Sequence, residues 1–109
     1  MPQTIFIRFY VQEGMKHGHQ SIHEWLFAAA RGLDIPGGTV FRAAAGFGRH
    51  GLHEDHFFEL AGKLPETVEF FADDSKIAAL IERVGGEKLR LVYVTHPVST
   101  GVTGNPANP

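Results

Sequence analysis

The chain has 109 residues, of which 43% are hydrophobic, and its formal net charge at neutral pH is -2. These values are typical of one folded domain with a single core, and they argue against a disordered chain or a basic protein that binds nucleic acid. The absence of cysteine excludes disulfides, thiolate metal sites and a thiol nucleophile. The sequence shows no signal-peptide pattern and no apolar run long enough for a membrane span, so we expect a cytoplasmic protein without membrane insertion.

The first part of the chain predicts a strand, a helix and a second strand. Residues 5–11 are β-branched and aromatic, which indicates a strand with apolar side chains on both faces. Ser21 can cap a helix whose apolar residues follow the i, i+3, i+4 spacing as far as Leu33, and Pro36 with its neighbouring glycines ends that helix. Residues 39–45 then predict the second strand.

The remaining elements follow a segment, residues 52–65, that is ambiguous between a loop and a short strand. Residues 67–72 predict the third strand, and an acidic residue or serine directly after it can cap a second helix. Gly85 and Gly86 are expected to stop that helix before a fourth strand at residues 89–95.

The predicted order is β-α-β-β-α-β, which indicates an α+β, ferredoxin-like sandwich with two helices on one face of a four-stranded antiparallel sheet. We assign this domain to residues 1–97, and the Gly-, Pro- and Asn-rich residues 98–109 to a flexible tail. Apolar residues on both strand faces, such as Phe6, Tyr10 and Val94, leave one face in need of cover. We therefore expect a homo-oligomer, most naturally a closed ring.

Residues 46–51, GFGRHG, match the G-x-G-x-x-G fingerprint of dinucleotide-binding folds. The segment follows the second predicted strand, and Gly62 and Pro65 interrupt what comes after it, so the context of a Rossmann crossover is missing. A hairpin tip is one interpretation of the glycines. The alternative is a turn whose backbone N–H groups hold phosphate oxygens, with charge from Arg42 and Arg49.

Three histidines, His50, His53 and His56, are spaced three residues apart. On a helix or tight turn this spacing would place imidazoles together as metal ligands, whereas on a strand it would separate them. Solvated loop histidines are the simpler interpretation, and a trimeric divalent-metal-binding protein of the cation tolerance type is the alternative function. No nucleophile elbow or Ser-His-Asp arrangement follows from the spacing, so we do not expect an enzyme.

Several short segments form a pattern that is more specific than any of these single motifs. They are Glu13-Gly14, Gly18, Glu24, residues 37–48 (GGTVFRAAAGFG), His53 and residues 63–77 (KLPETVEFFADDSKI). Together they resemble an uncharacterised bacterial and archaeal family of PII-like proteins, and the resemblance runs from about residue 5 to residue 94.

The resemblance implies a subunit similar to nitrogen-regulatory PII signalling proteins, assembled as a homotrimer. It implies a small anionic ligand between subunits, an adenine nucleotide such as AMP, ADP or ATP, and a target protein that contacts residues 46–56. In this interpretation Lys16 and Arg42 pair with phosphate, and Phe47 packs against the base. The full set of candidate ligand-binding residues is Lys16, Arg42, Gly46, Phe47, Gly48, Arg49, His53, Gly85, Gly86 and Lys88.

Overall fold

The chain forms one four-stranded sheet, a short two-stranded hairpin and two helices. The structure is a computed structural model that describes residues 2–47 and 64–104. In chain order its elements are β1 (Thr4–Gln12), β2 (Lys16–His17), β3 (Gln20–Ser21), α1 (Ile22–Gly32), β4 (Gly38–Arg42), β5 (Pro65–Asp73), α2 (Asp74–Gly86) and β6 (Val92–Pro97).

The strand order in the main sheet is β4-β5-β1-β6, and every neighbouring pair is antiparallel. β1 and β4, the strands that α1 connects, are therefore separated in the sheet by β5, which is the split βαβ arrangement. The predicted ferredoxin-like α+β fold is confirmed.

Both helices cover the same face of this sheet. Alternate residues of the central strands, including Ile7, Phe9, Val68 and Phe70, are at most 2% exposed and point to that face. Each helix packs one side against this face. The buried helix residues are Ile22, Trp25, Leu26, Ala29 and Ala30 in α1 and Ile77, Leu80 and Val84 in α2.

Both helices end in the same backbone motif. After α1, the N–H of Asp34 donates to Arg31 and the N–H of Ile35 donates to Ala30. After α2, the corresponding residues are Lys88 and Leu89, and the φ angles of Asp34 and Lys88 are 61° and 60°. This is a Schellman ending in which glycine is the usual left-handed residue. Asp34 and Lys88 therefore occupy equivalent, mildly strained positions.

Several element boundaries differ from those predicted, and three of these differences have a clear structural reason. β4 ends at Arg42 instead of residue 45, because its partner β5 begins at Pro65, which has no N–H to extend the ladder. α2 includes Gly85 and Gly86, since the left-handed turn falls on Lys88. β6 begins at Val92, where pairing with Tyr10 starts.

Gly38 lies where β4 passes close to the aromatic part of the core. A Cβ atom at this position would come within 2.7 Å of Cδ1 of Phe70 and 3.2 Å of Cε1 of Phe27. These two rings pack edge to face with centroids 6.0 Å apart, so neither can move away easily. Glycine at position 38 thus allows the backbone of β4 to pack against the rings of Phe27 and Phe70.

The other face of the sheet, which we call the open face, carries several exposed apolar side chains. Phe41, Phe71, Val92 and Val94 are between 40% and 54% exposed. At its centre Arg8 donates to Glu69 across 2.9 Å. This hydrogen bond raises the pKa of Arg8 above the ordinary value of arginine. The helices lie on the opposite face, so this apolar surface fits the prediction of a homo-oligomer.

Candidate ligand-binding site

The candidate residues that the structure describes gather at one end of the sheet. β1 and β4 end here, at Gln12 and Arg42, and β5 begins here at Pro65. α2 runs back from the far end of the sheet, which brings the turn after Gly86 and the start of β6 to the same end. The antiparallel topology therefore collects segments that are far apart in the sequence.

The gathered residues form two groups at opposite edges of that end. Arg42 belongs to β4, and Lys88 precedes β6, and these edge strands are three strand spacings apart, roughly 14 Å. Arg42 and Lys88 therefore lie at different edges of the sheet.

An open cavity of about 640 Å³ lies at the β6 edge. Its apolar wall comes from α2, from the strand β1 and from the segment that leads into β6, and two cations, Lys88 and Arg90, lie at the same cavity. The lining residues are Phe9, Ile81, Val84, Gly85, Lys88, Leu89, Arg90, Leu91, Val92 and Tyr93. Apolar surface beside two positive charges suits a planar aromatic group that carries an anion.

Lys16 lies in the β2–β3 hairpin, which contacts the turn after α2. Nε2 of the neighbouring His17 is 3.1 Å from Oε1 of Glu87, and the His17 ring packs edge-on against Trp25 with centroids 5.2 Å apart. Arg83 donates to Glu87 across 2.8 Å and stacks over the same indole. These contacts bring Lys16 and Lys88 to the same part of the surface.

The hydrogen bonds that Glu87 accepts from His17 and Arg83 lower the pKa of its carboxyl below the ordinary value. Because the folded pKa is the lower one, the stabilisation is fully present above the unfolded pKa of about 4.5 and is lost as pH falls through the folded value. We expect the difference in unfolding free energy between the wild type and Glu87→Gln to shrink between about pH 7 and about pH 3.

Urea unfolding at a series of pH values measures this difference. Glu82→Gln removes a carboxylate from the exposed surface of the same helix and is the matched control. A difference for Glu87→Gln that stays constant across the pH range would contradict the assignment of this ion pair.

Arg42 is held by two carboxylates. Its Nη2 is 3.4 Å from Oε2 of Glu13, and its Nε is 3.5 Å from Oε2 of Glu66. The Glu66 side chain is only 7% exposed, whereas that of Arg42 is 59% exposed. Arg42 thus neutralises a buried acid and still presents part of its guanidinium to solvent.

The glycine-rich segment is only partly described. Gly46 packs on the start of β5, where a Cβ would come within 3.0 Å of Cγ of Pro65, and the Phe47 ring is 91% exposed. The candidates Gly48, Arg49, His50, His53 and His56 lie outside the described residues, so their predicted roles stay predictions.

Two absences hold for residues 2–47 and 64–104 alone. In that part of the chain, no group of three or more His, Asp or Glu side chains is placed to hold a metal ion. No helix there is both long and apolar enough to cross a membrane.

Residues 4–99 match DUF190, a family described as uncharacterized ACR. The chain belongs to this family. A UPF0166 protein of Aquifex aeolicus (strain VF5) is 28% identical to it over 87 residues, which cover 79% of this chain and 83% of that protein.

Solved structures similar to this DUF190 protein share its fold. CPII from Thiomonas intermedia K12, bound to ADP, AMP and acetate, aligns with a TM-score of 0.64 and 14% identity over 93% of this chain and 91% of CPII. CPII bound to ADP and bicarbonate aligns with a TM-score of 0.62 and 16% identity, covering 91% and 89%. A Thermus thermophilus protein described as PII-like aligns with a TM-score of 0.57 and 11% identity, covering 99% and 97%. The fold of the DUF190 chain is therefore PII-like, as the sequence predicted.

The candidates predicted from the sequence did not include several residues at the site of this DUF190 protein. Glu66 and Glu87 are ion-pair partners of other site residues, and Arg90 and Tyr93 line the cavity. Glu66 had a usable signal, because a carboxylate at a position that alternates with buried Val68 and Phe70 needs a partner of opposite charge. The other three carry no signal of this kind in the sequence.

Proposed function

We propose that this DUF190 protein is a PII-like regulatory protein that binds an adenine nucleotide, or another small anion, between subunits. The cavity at the β6 edge carries the proposal, because it combines an apolar wall with Lys88 and Arg90. The PII-like fold supports it, since CPII has this fold and was crystallised with ADP and AMP. We further propose that the protein acts in the cytoplasm.

The phosphates would be recognised mainly by positive side chains. Lys88 and Arg90 lie at the cavity, and Lys16 belongs to the hairpin that contacts the turn after α2 through His17 and Glu87. The adenine would pack on the apolar wall formed by residues such as Leu91. Cations and apolar groups of this kind bind and orient an anion, so we propose a binding function and not an enzymatic one.

A homotrimer would supply the second half of the site. The open face has an exposed apolar surface that association can bury, and the two groups of candidate residues lie at opposite edges of the sheet. A neighbouring subunit could bring its Arg42, Gly46 and Phe47 to the β6 edge. We propose that residues 46–56 then transmit ligand occupancy to a target protein.

Lys88→Gly tests the cavity as the nucleotide site. Glycine suits the φ angle of 60°, so the unliganded protein should be as stable as the wild type or slightly more stable. Removal of a charged phosphate contact should weaken ADP binding by about 1.5 to 3 kcal/mol, roughly tenfold to a hundredfold. Isothermal titration with AMP, ADP and ATP, alongside thermal unfolding, measures both quantities.

Asp34→Gly is the matched control, because Asp34 occupies the equivalent left-handed position after α1 and does not line this cavity. It should leave ADP affinity unchanged. Equal ADP affinity in Lys88→Gly and the wild type would contradict the proposed site. Stabilisation of the wild type by zinc or copper alone, without any nucleotide effect, would instead favour the metal-binding alternative at His50, His53 and His56.

A further inference from the structure

Glu13 bridges two structural elements with its two carboxylate oxygens. Oε1 accepts a hydrogen bond from the N–H of Leu64 across 3.1 Å, and Oε2 lies 3.4 Å from Nη2 of Arg42. The backbone N–H of Glu13 also donates to the carbonyl of Leu64 across 2.9 Å. Glu13 therefore connects the end of β4 to the residue that precedes β5.

The local charges around Arg42 are unbalanced, because one guanidinium faces the carboxylates of Glu13 and Glu66. The Glu66 side chain is 7% exposed, so losing its positive partner would leave a buried charge uncompensated. The Glu13 side chain is 34% exposed and can exchange Arg42 for water at a much smaller cost. Of the two carboxylates, Glu13 is the one that an incoming anion can replace.

We infer that Glu13 competes with the phosphate of the ligand for Arg42 and so determines the anion affinity of the site. This inference rests on the proposed function, since it takes Arg42 as a phosphate contact. Phosphate would occupy the exposed side of the guanidinium while Glu66 keeps the buried side. Glu13 is thus a positioning residue that weakens phosphate binding by holding the guanidinium of Arg42.

Glu13→Gln tests this competition with a minimal change. Glutamine keeps an oxygen that can accept from the N–H of Leu64, but it removes the negative charge beside Arg42. We expect ADP and inorganic pyrophosphate to bind roughly fivefold to tenfold more tightly than to the wild type. Glu24→Gln, which neutralises an exposed carboxylate at the start of α1, should leave both affinities unchanged.

The same substitution in an Arg42→Met background separates competition from a general charge effect. If Glu13 acts through Arg42, Glu13→Gln should give little or no gain of affinity in that background. Arg42→Met/Glu66→Leu, which also removes the buried acid that Arg42 neutralises, provides a second background if the methionine variant unfolds. An equal gain in the wild-type and methionine backgrounds would overturn the inference.

The two anions also distinguish this inference from the proposed function. If the wild type binds ADP and Glu13→Gln binds it no more tightly, only the inference fails. If no variant binds ADP, but Glu13→Gln gains pyrophosphate binding that depends on Arg42, the inference stands and the adenine nucleotide proposal fails. Absence of binding of either anion to any variant would overturn both.

Discussion

Replacing Phe71 by aspartate is expected to convert a trimer into monomers. Phe71 is 48% exposed at the open face, directly opposite Phe6 on the neighbouring central strand. Association would bury these rings, whereas a buried aspartate without a partner carries a desolvation cost of several kcal/mol in each subunit. Such a cost, repeated in a symmetric assembly, exceeds what a small interface can offset.

Light scattering on a size-exclusion column gives the mass of each variant. The wild type should have three times the 12.0 kDa mass of one chain, and Phe71→Asp should have the mass of one chain. Val102→Asp is the matched control, because Val102 is 69% exposed and lies after the last strand. A monomeric wild type, or a Phe71→Asp variant that remains trimeric, would show that the open face is not the subunit interface.

Replacing Arg42 by methionine should reduce both stability and nucleotide affinity. The buried carboxylate of Glu66 would lose its positive partner, and we expect the free energy of unfolding to fall by about 1 to 3 kcal/mol. This lies below the cost of breaking a fully buried ion pair, because water already reaches Arg42. Nucleotide affinity should fall by a similar amount, about 1.5 to 3 kcal/mol, if Arg42 contacts phosphate.

A second substitution at Glu66 separates these two effects. In Arg42→Met/Glu66→Leu an apolar pair replaces the ion pair next to the core, so stability should return toward the wild-type value. Nucleotide affinity should remain low, because the guanidinium is still missing. Urea unfolding and titration calorimetry on the three proteins measure these changes. Normal ADP affinity in the double variant would place the phosphate site away from Arg42.

The local pattern of the sequence was sufficient to predict the architecture. Alternation in β1 and β5, and the helical spacing of residues such as Trp25 and Leu80, report directly which side chains face the core. The order of these elements then leaves few topologies, and the split βαβ fold is one of them. Apolar residues at both sets of alternate positions also predicted that the second face of the sheet is apolar. This prediction needs only the pattern within each strand and no knowledge of which strands pair.

The details of the site were decided by the tertiary structure. The contact of Glu13 and Glu66 with Arg42 depends on how antiparallel strands end at one edge, which no sequence period encodes. The end of α2 is a second example. The sequence predicted it at Gly85 and Gly86, because glycine is the usual left-handed residue after a helix, whereas the structure has Lys88 in that conformation. The sequence by itself thus determined the fold and the faces of its elements, through local periodicity. Only the tertiary structure decided which charged side chains meet, because such pairs form between segments that are distant along the chain.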